Sequence, residues 1–312
     1  MIAADDRTGA LEVAAELARA GSPVTVSVGV PSAKEGVVDL GTRSMSPDAA
    51  VAAVGSLPRA AWEAHKIDST LRGNWAPELR ARAGRTLIIP AWPAMGRTCI
   101  GGVVHVHGDP RASVIDHLPE AVSLPGLDAL EGWLATGEGI AAVDVADTAT
   151  LHAVARLAAA ADVLVAGPAG AIGAVFAARF GSASLESPPP LRAPFLVVCG
   201  SATAVSQEQV ERLRAAHPHV RVVQAPKADG ELSLTVARGL VAGIDLAGVG
   251  TLVVIGGDTA ATLLGDAPRL VGGYAAPGMP WSLDQHAGGS VVVTKAGGFG
   301  GPDALVDLLN SD

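Results

Sequence analysis

Eight short apolar runs recur through the chain and place the strictest limit on its fold. Most of them are apolar at consecutive positions, which is typical of strands that are covered on both faces of a sheet. Helical patterns alternate with these runs, as at residues 8–20, 153–161, 206–216 and 231–242. This alternation predicts an α/β fold with mostly parallel sheets flanked by helices. The eight runs are residues 23–30, 85–92, 140–145, 161–167, 195–201, 220–225, 251–257 and 290–298.

A proline-rich segment, SLESPPPLRAP at residues 184–194, interrupts this alternation. Its prolines cannot continue a helix, and they stiffen the chain into an extended spacer. A length of 312 residues is also long for one hydrophobic core. We therefore expect a first domain at residues 1–185, a linker at 186–194 and a second domain at 195–312.

Charge and hydropathy exclude several classes of partner. A net charge of −9 argues against broad binding to nucleic acid or to an anionic membrane, so any anion must be held by a local cluster. The longest uncharged stretch, residues 163–178, has 16 residues, fewer than the roughly 20 that span a bilayer. The N-terminus carries acids where a secretion signal needs basic and apolar residues. We expect a cytoplasmic protein.

The stretch KIDSTLRGN at residues 66–74 concentrates polar groups in a chain that is 49% hydrophobic. Lys66, Ser69 and Arg72 supply hydrogen-bond donors, and Asp68 supplies an acceptor. Arginine binds a carboxylate through two hydrogen bonds, and lysine supplies a point charge. The mixture suits a small polyhydroxy acid, whose carboxylate and hydroxyls need both kinds of group. The alternative is a solvated surface turn.

Two adjacent acids, Asp5 and Asp6, precede the first predicted helix. Such a pair can divide its work, with one carboxylate binding hydroxyls and the other acting as a base. The alternative is that Asp6 or Thr8 only caps the helix. Two arginines join this set as candidates: Arg97 in the proline–glycine loop PAWPAMGRTCIGG, and Arg43 in LGTRSMSPDAA. For Arg43 the alternative is an ordinary surface arginine.

Four glycine-rich turns occur in the second half of the chain, at residues 200–201, 256–259, 274–282 and 295–301. Turns of this kind expose backbone N–H groups and hydroxyls to a phosphate. The sequence has no GxxxxGK[ST] motif, and no GxGxxG lies between a strand and a helix. A nucleotide would therefore bind without either fingerprint. The cysteines lack metal-ligand spacing, and the histidines form no HExxH motif. His105 and His107 alternate along one predicted strand and would share a face, where a metal pair is the alternative to ordinary partly buried histidines. We predict no metal-ligating side chains.

Seven motifs, in order, resemble those of the four-carbon acid sugar kinase family. The resemblance runs from residue 3 to about residue 308, and KIDSTLRGN is its most specific part. The motifs are ADDRTGA, KIDSTLRGN, PAWPAMGRTCIGG, GSATAVSQEQ, GGDTA, APGMPW and KAGGFGGPDAL.

The resemblance implies that the first domain binds a sugar acid and the second binds ATP with Mg²⁺, with the active site in the cleft between them. Asp5, Asp6 and Arg97 would be catalytic, with Arg97 meeting the transferring phosphoryl group. The expected substrate-binding residues are Arg43, Lys66, Asp68, Ser69 and Arg72. The expected nucleotide-binding residues are Ser201, Thr203, Gly256, Gly257, Asp258, Thr259, Gly278, Lys295, Gly297 and Gly298.

The chain also departs from the family pattern. GGDTAA and KAGGFG stand where family members usually have GGETSG and KSGNFG, which removes two serine hydroxyls and an amide near the nucleotide. The chain is about a hundred residues shorter than is typical, mostly after Gly108, in the region expected to shape the sugar pocket. Only four residues precede Asp5. We therefore expect either a shortened first strand or a natural start further upstream.

These observations predict an ATP-dependent kinase that phosphorylates a hydroxyl of a small, four-carbon-like sugar acid. The alternative is a homologue that binds the nucleotide and the sugar acid as a sensor but has lost turnover. A nicotinamide-dependent oxidoreductase is a weaker alternative, because the chain lacks a dinucleotide fingerprint. The sequence leaves the identity of the acid and the formation of a homo-oligomer open.

Overall fold

The computed structural model describes residues 1–18, 22–31, 36–82, 84–181, 188–226, 234–283 and 289–310. Predicted helical residues 19–20 and 231–233, and linker residues 186–187, lie outside the described residues. Within the described ranges the chain forms seventeen strands and eleven α-helices. No helix among them is long and apolar enough to cross a membrane.

The strands of the first half are β1 (Ile2–Ala4), β2 (Val24–Val28), β3 (Val37–Asp39), β4 (Ala64–Lys66), β5 (Thr86–Ile88), β6 (Arg97–Ile100), β7 (Val103–Val106), β8 (Asp109–Ser113), β9 (Val122–Leu124), β10 (Ile140–Val143) and β11 (Leu164–Gly167). Those of the second half are β12 (Phe195–Cys199), β13 (Arg221–Gln224), β14 (Thr251–Ile255), β15 (Arg269–Ala276), β16 (Met279–Leu283) and β17 (Val291–Lys295).

The helices are α1 (Arg7–Ala18), α2 (Pro47–Gly55), α3 (Trp75–Ala81), α4 (Val114–His117), α5 (Leu127–Thr136), α6 (Thr148–Ala159), α7 (Ala169–Phe180), α8 (Ala204–Ala216), α9 (Leu234–Val241), α10 (Gly257–Leu264) and α11 (Ala304–Asn310). Two short 3-10 helices cover Thr42–Ser44 and Pro93–Met95.

Fourteen strands form one large sheet in the order β13-β12-β14-β17-β16-β15-β2-β3-β1-β4-β11-β5-β10-β9. Pairing is parallel except around β15 and β16, which pair antiparallel with each other and with their outer neighbours β2 and β17. Each of the eight predicted apolar runs contains one of these strands. The predicted α/β class with mostly parallel strands and flanking helices is confirmed.

Strands β2 and β15 join the two halves of the chain within this sheet. Val26 pairs with Arg269, and Val24 pairs with Val271. The buried core is also shared, since one apolar cluster contains Leu11 of α1 together with Val254 and Val292 of the second half. Both observations place the second half directly against α1. The division into domains at 1–185 and 195–312 stays a prediction.

The sequence predicts a glycine-rich turn at residues 274–282. In the structure these residues belong to the hairpin of β15 and β16. Its tip is Gly278, which has a φ of 70°. Gly272 leaves room for the ring of Trp281, which would collide with a Cβ atom at that position. The glycines therefore permit close packing within a hairpin, in addition to forming its turn.

Candidate active site

The acid pair leaves the carboxyl end of β1 at the centre of the sheet. β1 has only three residues, all buried, and it pairs in parallel with β3 on one side and β4 on the other. Helix α1 begins immediately afterwards at Arg7. The turn between them places Asp5 and Asp6 where open parallel sheets bind their ligands.

Arg43 binds both members of the pair. Its Nε donates to Asp5 Oδ2 at 2.8 Å, and its Nη2 donates to Asp6 Oδ1 at 2.9 Å. Its stem packs against Gly73, where a Cβ atom would lie 3.0 Å from Arg43 Cγ. Asn74 Nδ2 donates to the carbonyl oxygens of Thr42 and Met45, each at 2.8 Å. The end of KIDSTLRGN therefore positions Arg43, which explains the glycine and the amide in that motif.

The two acids have pKa values displaced in opposite directions. Burial raises the pKa of Asp5 in spite of Arg43 and Lys66. Burial acts in the same direction on Asp6, but the charges of Arg43 and Lys66 and a hydrogen bond from Thr8 outweigh it, so the pKa of Asp6 is lowered. Asp6 is therefore the acid of the pair that stays ionised, and Asp5 is the one that holds a proton more readily.

Lys66 ends β4 next to this pair, with an exposed fraction of 3%. Its Nζ lies 4.0 Å from Asp5 Oδ1, which is longer than a hydrogen bond. Asp5 Oδ1 is fully enclosed and has no hydrogen-bond partner among the described residues. A buried polar group without a partner is costly unless a ligand satisfies it. Lys66 and Asp5 therefore present a donor and an acceptor that a bound molecule could use.

Asp68 and Arg72 are paired with each other. Arg72 Nε and Nη2 donate to the two oxygens of Asp68 at 2.9 and 2.8 Å, and Thr70 also donates to Asp68. Burial would raise the pKa of Asp68, but the charge of Arg43 and the hydrogen bonds and charge of Arg72 outweigh it and hold that pKa far below its usual range. About half of the Arg72 side chain is exposed, and the neighbouring Ser69 is half-buried. The predicted substrate stretch thus lies beside the acid pair, with Arg72 at its outer edge.

The glycine turns of the second half meet at the carboxyl ends of β12, β14 and β17, which are adjacent parallel strands. Thr203 caps α8 and donates from Oγ1 to the carbonyl oxygen of Gly297 at 3.0 Å. Ser201 Oγ lies 3.0 Å from Thr203 Oγ1. Gly200 packs directly against the Thr259 side chain. The turns at 200–203, 256–259 and 296–298 therefore form one continuous surface.

Lys295 stabilises this surface from below. It has an exposed fraction of 1%, and its Nζ donates to the carbonyl oxygens of Ala296 at 2.9 Å, Gly297 at 3.3 Å and Phe299 at 2.9 Å. Burial lowers its pKa to about 8. All three protons of the ammonium group are used by its own loop, so Lys295 shapes the turn that follows β17.

Helix α10 carries the second half into contact with the acid pair. A Cβ atom at Gly257, its first residue, would lie 2.7 Å from Asp6 Oδ2. At its other end, the carbonyl oxygen of Gly265 accepts a hydrogen bond from Arg7 Nη1 at 2.7 Å, while Arg7 Nε donates to Asp39 at 2.7 Å. Two consecutive residues of the ADDRTGA motif therefore contact both ends of one helix.

Arg97 makes a further connection between the halves. Its Nη2 donates to the carbonyl oxygen of Gly298 at 3.1 Å, and its guanidinium lies 4.3 Å from the centre of the Phe299 ring. Its Nε is enclosed and has no partner among the described residues. Gly278 also reaches this region, because a Cβ atom there would lie 2.7 Å from Met95 Cε. The predicted residues Arg97, Gly278 and Gly298 are thus brought together.

The sequence analysis did not identify two residues of this site. Arg7 was treated only as part of the start of a helix, although it bridges β3 and α10. Glu12 is a buried acid whose Oε1 has no partner in the described part of the chain. The available signal was helical spacing, because Glu12 stands four positions after Thr8 and so shares its face of α1. Arg7 had no such signal, since its partners are far away in the sequence.

The sequence is similar to a sugar-binding domain family and to kinases of a sugar acid. Residues 1–121 match a family model described as a sugar-binding N-terminal domain. A D-threonate kinase from Cupriavidus necator is 32% identical over 338 residues, covering 90% of this chain and 80% of that protein. A D-threonate kinase from Salmonella typhimurium is 30% identical over 258 residues, covering 68% of this chain and 60% of that protein.

The fold is also similar to that of a solved structure. A Haemophilus influenzae protein of the DUF1537 family superposes with a TM-score of 0.67 at 21% identity, covering 99% of both chains. This likeness concerns the fold, and the kinase relatives supply the enzyme class. Together with the sugar-binding family model, these similarities show that the chain belongs to the four-carbon acid sugar kinase family.

Proposed function

We propose that this kinase transfers the γ-phosphoryl group of ATP to a hydroxyl of a four-carbon-like sugar acid. The observation that carries the proposal is the contact between Asp6 and the first residue of α10, where a Cβ atom at Gly257 would lie 2.7 Å from Asp6 Oδ2. An acid suited to hold a hydroxyl and a helix start suited to hold a phosphate thus adjoin each other.

The substrate side combines cationic groups with hydroxyl-binding acids. Lys66 keeps an ammonium group 4.0 Å from Asp5 Oδ1, and that oxygen has no hydrogen bond to a described residue. A sugar acid offers what both need, a carboxylate for Lys66 and a hydroxyl for Asp5. Arg72, at the outer edge, would meet the carboxylate from the solvent side, and Ser69 would bind a further hydroxyl.

The nucleotide side is the surface formed by the turns at 200–203, 256–259 and 296–298. Backbone N–H groups at such turns bind phosphate oxygens without adding side-chain bulk. In the described ranges no three His, Cys, Asp or Glu side chains are grouped to hold a metal ion. This suits Mg²⁺ that is bound mainly by phosphate oxygens and water. Asp258, exposed at the start of α10, would contact that hydrated ion.

Asp6 would accept a hydrogen bond from the attacking hydroxyl and orient it toward the phosphoryl group. Its lowered pKa keeps it ionised for this role. Thr8 Oγ1 and the Gly9 N–H, which donate to Asp6 at 2.7 and 3.0 Å, fix the carboxylate in place. Phosphoryl transfer depends mainly on positioning and charge neutralisation, so a fixed carboxylate is well suited to it. Arg97, with its Nε unpartnered, would approach the phosphoryl oxygens.

An ADP-release assay over a panel of four-carbon sugar acids, including D-threonate, tests the proposal. We expect turnover of at least one acid with ATP and Mg²⁺, and a loss of at least about a hundredfold in kcat for Asp6→Asn. Asp303→Asn, at a surface ion pair with Arg212, is the matched control and should retain full activity. Thermal shifts with ATP and acid but no ADP release would instead identify a binding homologue that has lost turnover.

A further inference from the structure

Glu12 lies on α1 one turn beyond Thr8, on the face of the helix that lines the acid pair. Thr8 and Gly9 share this face, since residues three and four positions apart are neighbours on a helix. Thr8 Oγ1 donates to Asp6 at 2.7 Å, and a Cβ atom at Gly9 would lie 2.7 Å from Lys66 Nζ. The Glu12 side chain therefore leaves the helix toward Asp6 and Lys66, with an exposed fraction of 3%.

One oxygen of the Glu12 carboxyl group has no partner among the described residues, although the charges of several cations act on the group. Its Oε1 makes no hydrogen bond, and Glu12 forms no ion pair with any residue that the structure describes. Lys66 and Arg43 on the substrate side influence its charge, and it in turn influences Arg97 and Lys295. Glu12 therefore lies between the cations of the two halves without being bound to any of them.

The fold itself does not need this carboxyl group. The structural contact of Glu12 is made by its backbone, whose carbonyl oxygen accepts a hydrogen bond from the Tyr274 hydroxyl at 3.0 Å. Any residue at this position would offer the same carbonyl. Burying an unpartnered carboxyl oxygen costs stability, so a residue that fills the space with apolar atoms would suit the fold better. Within the described residues nothing pairs with Oε1 of Glu12, so a bound ligand would account for its polar end.

We propose that Glu12 is a specificity-determining residue, and that its Oε1 exchanges a hydrogen bond with a hydroxyl group of the bound sugar acid. The inference rests on the proposed function, since it names a contact within that substrate site. A hydroxyl fits better than the carboxylate of the substrate, because Asp6 and Asp68 already place negative charge near Glu12. A carboxyl oxygen and a hydroxyl can each donate or accept, according to protonation.

Burial supports this assignment by raising the pKa of Glu12 to about 8. At neutral pH the group is therefore a neutral acid that can both donate to and accept from a hydroxyl, and it does not repel the substrate carboxylate. A site that is built to bind a substrate hydroxyl rejects an analogue that lacks it, because the buried group is then left unpaired. Glu12 would thus distinguish polyhydroxy acids from simpler ones.

Calorimetric binding tests this with trihydroxybutanoate and its two mono-deoxy analogues, which lack the hydroxyl at carbon 2 or at carbon 3. The proteins are the wild type, Glu12→Met, Glu12→Gln and the control Glu16→Gln, one turn further along the same face. We expect Glu12→Met to weaken binding of the trihydroxy acid at least about tenfold, and of one deoxy analogue less than about twofold. Glu12→Gln, which still donates and accepts, and Glu16→Gln should bind like the wild type.

Equal weakening of all three acids by Glu12→Met would overturn the inference, because it would show a general effect on the pocket. Failure of the wild type to bind the trihydroxy acid would overturn it as well. Melting curves verify that each variant is folded, and Glu12→Gln repeats the comparison without an apolar side chain. Turnover is measured separately: binding that depends on Glu12 without ADP release would refute the proposed kinase reaction and leave the Glu12 contact standing.

Discussion

Replacing Glu12 by glutamine should stabilise the folded protein, by an amount that increases with pH. The carboxyl group has an ordinary pKa of 4.5 in the unfolded chain, and burial raises it to about 8 in the folded protein. Between these values the unfolded state has released the proton and the folded state still holds it. The unfolding free energy of the wild type therefore falls as pH rises through this window. Glutamine has no proton to release, so the variant lacks this decrease.

The magnitude follows from the two pKa values. A tenfold change in proton activity corresponds to about 1.4 kcal/mol for one linked proton. The difference in unfolding free energy between Glu12→Gln and the wild type should therefore grow from about 1 kcal/mol at pH 5 to about 3 kcal/mol at pH 7 and about 4 kcal/mol at pH 8. At pH 7 this corresponds to a rise in Tm of about 6 °C for a chain of this size.

Urea unfolding at pH 5, 6, 7 and 8, without ligands, measures this directly. Glu131→Gln, on the exposed face of α5, is the matched control, and its curves should follow those of the wild type at every pH. A constant difference between Glu12→Gln and the wild type across the four pH values would refute the reasoning, because it would show that the buried carboxyl is not linked to folding. A lower stability for the variant at pH 8 would refute it more strongly.

Three further substitutions test the contact between the halves and the loop that follows β17. Gly257→Ala should lower kcat at least about a hundredfold, because the added methyl group would lie 2.7 Å from Asp6 Oδ2. The control is Gly132→Ala in α5, where the added methyl group would meet no atom within 4 Å and activity should be unchanged. Arg7→Gln should lower the unfolding free energy by about 3 kcal/mol, measured in urea, because it removes the ion-pair partner of the buried Asp39 carboxylate. Lys295→Met should raise the KM for ATP about tenfold and leave the KM for the acid unchanged, because three carbonyl oxygens of the loop after β17 lose their hydrogen-bond donor. Equal changes in both KM values would contradict this role.

Elements built from local patterns could be predicted from the sequence. All eight apolar runs form strands, and the pattern at residues 206–216 lies within α8. The hairpin of β15 and β16 could not be predicted in the same way, because its glycines and prolines are typical of turns. Its strands are stabilised by neighbours that are distant in sequence, such as β2 and β17. Location in the cytoplasm and assembly into a homo-oligomer stay predictions.

For the site, the sequence could identify residue types but not their pairing. The resemblance pointed to Asp5, Asp6 and Lys66, and the structure brings these side chains together. That Arg43 would bind both acids depends on the turn at Gly73, which is thirty residues away. Lys295 was expected to contact the nucleotide, yet its ammonium group is used by its own loop. Such directions of side chains are set by tertiary packing, which a linear pattern does not contain.

Asp6 and Arg7 contact opposite ends of α10, so these two contacts fix the length of that helix. Eight residues of α-helix span about 12 Å, and each residue added or removed would also turn the far end by about 100°. An insertion of one residue would carry the Gly265 carbonyl away from Arg7 while Gly257 stayed beside Asp6. A change in the length of α10 would therefore break the alignment of Gly257 with Asp6 or of Gly265 with Arg7, two of the contacts between the halves of the chain.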